Sequence, residues 1–104
     1  MNLFNYGIGG IYKIQCEQTK RVYIGQTYSF LHRANSHLEK LRNQHHECQQ
    51  LQLDFNSYGE QAFIFEILCI EADKTKRLEL EKEAIIKHSG TNSKFLFYNS
   101  KRQL

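Results

Sequence analysis

Proline is missing from this sequence, as are Gly/Ser-rich linkers, internal repeats and low-complexity tracts. Those absences exclude a string of tethered modules. At 104 residues the chain suits one domain, spanning 1–104, with a single modest core. No apolar run approaches the ~20 residues of a membrane span, and the N-terminus lacks the basic-then-apolar pattern of a secretory signal. A disulfide framework is excluded too. The three cysteines, Cys16, Cys48 and Cys69, are odd in number, far apart and in no C-x-x-C pair. The expectation is a soluble, intracellular protein, not bound to a membrane, whose cysteines are free thiols packed in the core.

What is present begins with charge. The formal net charge is +3, and it is unevenly spread. Residues 1–46 hold Lys13, Lys20, Arg21, Arg33, Lys40 and Arg42 against Glu17 and Glu39, and the acids outnumber the bases by one in the remainder. A basic first half suits an anionic partner such as a nucleic-acid backbone, although a solvated charged surface has the same composition.

Two short runs rich in β-branched and aromatic residues, Gly10–Cys16 and Arg21–Gly25, flank the polar segment Glu17-Gln18-Thr19-Lys20, which has hairpin-loop length. An antiparallel hairpin brings Tyr12 near Tyr23 and leaves Gly10 and Gly25 at the outer ends, where a backbone turns sharply or is approached closely. The paired tripeptides Gly10-Ile11-Tyr12 and Tyr23-Ile24-Gly25 at this spacing resemble the signature of the GIY-YIG nucleases, a family of metal-dependent enzymes that cut DNA.

Further along, residues 1–9 read as an irregular lead-in and Gln26–Ser29 as N-cap candidates for a helix from Phe30. At ~100° per residue Phe30, Leu31, Ala34, Leu38 and Leu41 form the expected buried stripe, with Arg33 and His37 on its edge. A second helix is expected over Gln44–Tyr58, stopped at Gly59 in a left-handed conformation. Ala62–Ile70 is apolar on both alternating faces apart from Glu66, the pattern of a strand covered on both sides. In a third helix, Lys74–Lys87, Leu78, Leu80, Ala84 and Ile85 share an arc with Glu81 near its centre. An inward carboxylate is costly unless it is paired or binds a metal, which marks Glu81 as a site residue or as half of a buried ion pair. Phe95–Asn99 reads as a short strand or a cover for the sheet. The fold class expected is α+β: a small three-stranded antiparallel sheet flanked by three helices, in the order β-β-α-α-β-α.

The resemblance extends over about residues 10–99. It implies that Arg33 and His37 flank the scissile phosphate, that Glu81 holds one divalent cation, Mg²⁺ or Mn²⁺, and that Tyr12 or Tyr23 acts as general base. Gly25, His46 and Asn99 match the family's further substrate-side positions. His46 belongs to the pattern of the phage and intron-encoded homing endonucleases, which points to DNA as substrate, with a homodimer or a separate targeting partner supplying specificity; the alternatives are a structure-specific DNA repair or junction nuclease and a non-catalytic nucleic-acid-binding module that keeps the fold. The implied location is the cytoplasm, or an organelle if the chain is intron-encoded there. Ala34 and Ala84 stand where aromatics are common in the family. The cluster His45-His46-x-Cys48 lacks a fourth ligand at finger-like spacing, so structural zinc is not expected. His32 and His88 read as surface residues.

Overall fold

The structure, a computed structural model, describes residues 8–91 and Tyr98. Strand β1, Gly10–Cys16, turns back into β2, Val22–Thr27. The turn is closed by Cys16 N–H to the Arg21 carbonyl at 3.0 Å and Lys20 N–H to the Cys16 carbonyl at 2.7 Å, with Lys20 at a φ of 68°. Helices α1, Phe30–Arg42, and α2, Gln49–Tyr58, follow; then come a 3₁₀ turn at Glu60–Ala62, strand β3, Phe63–Ile70, and helix α3, Lys74–Thr91. The order β-β-α-α-β-α and the single antiparallel sheet are as expected. The strands lie in the order β2-β1-β3, so β1 is central.

That order places both faces of β1 in the core. Tyr12, Ile14 and Cys16 pack with Phe30, Leu41 and Leu51 under α1 and α2. Ile11, on the other face, joins Val22, Ile24 and Ile85 under α3. Alternation along one strand therefore feeds two cores, and each fully buried isoleucine contributes at most ~2–3 kcal/mol. The β1–β3 register slips between Ile11 and Tyr12, which face Cys69 and Ile67. Leu68 is the extra residue of a bulge.

Several expected boundaries shift. β2 starts at Val22, after Arg21 whose guanidinium reaches Asp54, and runs two residues beyond Gly25 because Gln26 and Thr27 pair with Ile11 and Gly10. α2 begins at Gln49, not Gln44. Gln44 has a φ of 63°, and the segment to Cys48 is an irregular connector whose amides bond to side chains: His46 N–H to Gln52 Oε1 and Cys48 N–H to His46 Nδ1. Gly59 ends α2 with φ 86° and ψ 164°, a positive φ as expected but in an extended region open only to glycine.

β3 corrects the expectation of a strand covered on both sides. It is an edge strand, and Ile64, Ile67 and Ile70 are exposed. In α1 the buried positions are Phe30, His37 and Leu41 while Leu31 is exposed, because His37 finds hydrogen-bond partners inside. In α3 Leu78 is exposed and Arg77 is buried. The Arg77 guanidinium is satisfied by the Gln26 side chain at 3.0 Å and the carbonyls of Glu71 and Ala72 at 3.4 and 2.6 Å. Asp54, also buried, accepts from Arg21, from Thr19 and from the Tyr98 hydroxyl at 2.5 Å. Tyr98 N–H bonds the Val22 carbonyl at 2.7 Å, on the edge of β2. The other residues of the expected Phe95–Asn99 segment lie outside the described residues.

Candidate active site

The hairpin places Tyr12 and Tyr23 with ring centroids 6.4 Å apart. Tyr12 is 1% exposed and stacks on Phe65 at 4.9 Å with the planes 12° apart. Its ring also lies against Gly25. A Cβ there would sit 2.4 Å from the Tyr12 hydroxyl oxygen, so the second glycine of the signature is a place of close approach by this protein's own tyrosine.

α1 is started by Ser29, whose hydroxyl accepts from His32 N–H at 3.2 Å. The helix then presents Arg33, Ser36, His37 and Lys40 along one stripe. His37 Nε2 meets the Tyr12 hydroxyl at 2.7 Å, and its Nδ1 meets His46 Nε2 at 2.8 Å. His46 Nδ1 accepts the Cys48 backbone N–H at 3.0 Å. That last bond fixes the remaining protons. With Nδ1 an acceptor, neutral His46 carries its proton on Nε2 and donates to His37 Nδ1; neutral His37 then carries its proton on Nε2 and donates to Tyr12. A backbone amide thus orients a three-side-chain chain that ends at a tyrosine oxygen.

Electrostatics keep the chain neutral. Burial, reinforced by His46, Arg33 and Lys40, lowers the His37 pKa to about 3. Burial also lowers that of His46. The Tyr12 phenol is pushed up by burial and by Tyr23, and Arg33 pulls it back down. Neutral histidines have a cost in acid. Where the unfolded chain titrates near 6.5 and the folded His37 near 3, the unfolded state binds more protons between those values, so stability falls as pH drops through that window. Urea unfolding at pH 7.5 and at pH 5 should differ by about 2 kcal/mol from His37 alone, with the difference reduced in His37→Gln. An acid loss unchanged in that variant would refute a neutral buried His37.

Glu81 lies on α3, four residues after Arg77 and on the same helix face. Its carboxylate accepts the Gln26 backbone N–H at the edge of β2, while Arg77 holds the Gln26 side chain. Burial raises the Glu81 pKa, and the Gln26 amide and Arg33 oppose that. Among the described residues no ion pair holds Glu81, so the buried ion pair considered as an alternative is not formed. No group of three or more His, Cys, Asp or Glu capable of holding a metal occurs among the described residues. A half-buried lone carboxylate fits a hard cation that keeps most of its own waters, and it does not fit a closed protein cage.

Tyr12, Tyr23, Arg33, His37, His46 and Gly25 are thus brought to one place, with Glu81 and Arg33 within electrostatic reach of Tyr12. Asn99 lies outside the described residues. His32 is exposed and Cys16 is buried, as expected. The sequence reading missed Arg77 and the pair Lys40–Glu47, which closes a polar pocket of about 70 Å³ over Tyr23, Arg33, His37 and His46. Their signal was available: Lys40 is two helical turns from Arg33, and Arg77 one turn from Glu81.

The small sheet thus gathers a carboxylate, an arginine and a histidine-backed tyrosine near one polar pocket. The model of the GIY-YIG catalytic domain matches residues 8–94, and the chain belongs to that family. Two solved structures are similar to it. The catalytic domain of homing endonuclease I-TevI is 32% identical over 88% of this chain and 96% of that one, with a TM-score of 0.73. A mutant of the catalytic domain of intron endonuclease I-TevI is 30% identical over 88% and 92%, with a TM-score of 0.75. A search of curated protein sequences finds no match. No described helix is long and apolar enough to cross a membrane.

Proposed function

We propose that this chain is a DNA endonuclease of the homing or free-standing type, hydrolysing phosphodiester bonds with one divalent cation, Mg²⁺ or Mn²⁺, on Glu81. The observation that carries the reading is the ordered donor chain from Cys48 N–H through His46 and His37 to Tyr12, ending near Arg33 and a carboxylate that no ion pair holds among the described residues. The names of the similar structures, an intron and a homing endonuclease, support the type.

Each residue type has work in that reaction. Arg33, permanently charged, binds non-bridging phosphate oxygens as negative charge builds on them. Tyr12 is favoured over Tyr23 as the base that takes the proton of the attacking water, because a hydrogen bond donated by His37 stabilises a phenolate oxygen. In the free protein burial keeps Tyr12 protonated and the Arg33 charge opposes that; a cation held on Glu81 would add positive charge in the same sense and offset the negative charge of the phosphate. When bound, the cation supplies charge neutralisation at the phosphoryl oxygens and at the leaving oxygen. Tyr23 orients water or phosphate, Gly25 gives Tyr12 its room, His46 orients His37 through its Nε2 hydrogen bond, and Asn99 acts on the substrate side. DNA targeting then rests on a homodimer or on a separate partner.

Supercoiled plasmid incubated with purified protein tests the reading. Nicking or linearisation with Mg²⁺ that stops on adding a chelator is expected. Absence of cleavage on plasmid and on branched DNA, with salt-sensitive binding that ignores Mg²⁺, would instead identify a non-catalytic binding module.

A further inference from the structure

The pocket that contains Arg33, His37 and His46 also holds one lysine and one carboxylate that nothing in the reaction so far uses. Lys40 and Glu47 face each other across its mouth, Nζ to Oε2, at 2.8 Å. The pair is exposed to solvent, but its charges reach the histidines of the pocket. The Lys40 charge is close enough to depress the basicity of both His37 and His46. The hydrogen bond from Lys40 in turn holds the Glu47 carboxyl down at about 2, so the carboxylate stays ionised at any working pH. Glu47 is the single acid in a pocket otherwise lined by cationic and neutral groups.

Geometry sets Lys40 apart from the other basic residues. Seven residues after Arg33, it lies on the same stripe of α1, displaced by about 10 Å along the axis. A strand whose scissile phosphate sits on Arg33 and which runs along that stripe brings a phosphate one or two nucleotides away within reach of Lys40. Glu47 meets that lysine through Oε2 with a singly charged group of two equivalent oxygens, and a phosphodiester offers the same charge and the same kind of acceptor.

Resting on the nuclease reading above, we infer that Lys40 is a second phosphate-binding point for the cleaved strand, and that Glu47 occupies it as an internal counter-ion until DNA displaces it. Lys40 is thus a positioning residue: it fixes the strand's direction over the pocket. Glu47 weakens binding to every duplex and selects against weaker anions, which cannot displace it.

The two roles predict effects of opposite sign. Binding of a short fluorescein-labelled duplex, followed by anisotropy in chelator between about 50 and 200 mM salt, separates them. Lys40→Met should weaken binding several-fold at the low-salt end and lower the slope of log K against log salt by about one. Glu47→Gln should tighten binding and keep the wild-type slope. In cleavage, Lys40→Met should raise KM and leave kcat within about twofold. Melting temperatures of both variants should shift little and alike, since each breaks the same exposed ion pair. Weakening by both variants to the same extent, or a slope untouched by Lys40→Met, would overturn the inference while leaving a cleaving wild type, and hence the nuclease reading, intact. A wild-type protein that neither binds nor cuts DNA would overturn both.

Discussion

Glu81→Gln should reduce plasmid cleavage by at least about 10³-fold, a barrier increase of roughly 4 kcal/mol, while its melting temperature stays at or above that of the wild type. The first half follows from Glu81 being the one carboxylate offered to a cation at the proposed centre. The second follows from its surroundings. Burial raises its pKa, and what opposes that is one backbone amide and the field of Arg33. A carboxyl whose folded pKa is raised detracts from stability as pH rises through that value, so at neutral pH the ionised group is a burden on the fold. The neutral amide keeps the size and removes the charge. Activity and stability therefore part company in this variant, as they do where a residue is kept for chemistry. A melting temperature that falls together with activity would show that Glu81 supports the structure, and the cation would need another ligand.

Gly25→Ala is expected to damage the centre from the opposite direction. The new Cβ would lie 2.4 Å from the Tyr12 hydroxyl oxygen and 2.6 Å from Cζ. Tyr12 cannot swing away cheaply. Its ring is stacked on Phe65, bonded to His37 and almost entirely buried. Overpacking of this kind costs about 1–3 kcal/mol, and a shift of about 1 Å in a reacting oxygen costs about 10²-fold in rate. Thermal unfolding and plasmid cleavage read the two effects. Combining Gly25→Ala with Tyr12→Phe should restore part of the stability and none of the activity. A Gly25→Ala protein that cuts at the wild-type rate would remove Tyr12 from the reaction.

Much of this centre was legible in the sequence, for a physical reason. Tyr12 and Tyr23 are tied by a short hairpin, and Arg33 and His37 by one helical turn, so local geometry fixes them before any long-range packing is known. Glu81 was legible because charge stands out in an apolar arc. Burial at β3 was misread because apolar alternation records what a strand is able to bury, and strand order decides what it does bury. The order β2-β1-β3 gives the covered place to β1. His37 was assigned to the edge of a stripe because hydropathy treats imidazole as polar whatever its partners. Arg77 and Asp54 escaped for the same reason. Each is buried because of hydrogen bonds to residues distant in sequence, Gln26 for one and Arg21 and Tyr98 for the other, and a hydropathy pattern carries no trace of those.

The central position of β1 also sets the order in which the parts of the proposed centre can come together. β1 and β2 pair across a five-residue turn as soon as residues 10–27 are free. β1 meets its second neighbour only after β3 appears, with Tyr12 opposite Ile67 and Ile14 opposite Phe65. Closing so long a loop is slower than forming a hairpin. Until it closes, Tyr12 lacks the Phe65 ring that covers it, and Glu81 lies later still in the chain. The two tyrosines of the proposed centre are thus brought together by the early part of the chain, and its carboxylate comes from the last described helix.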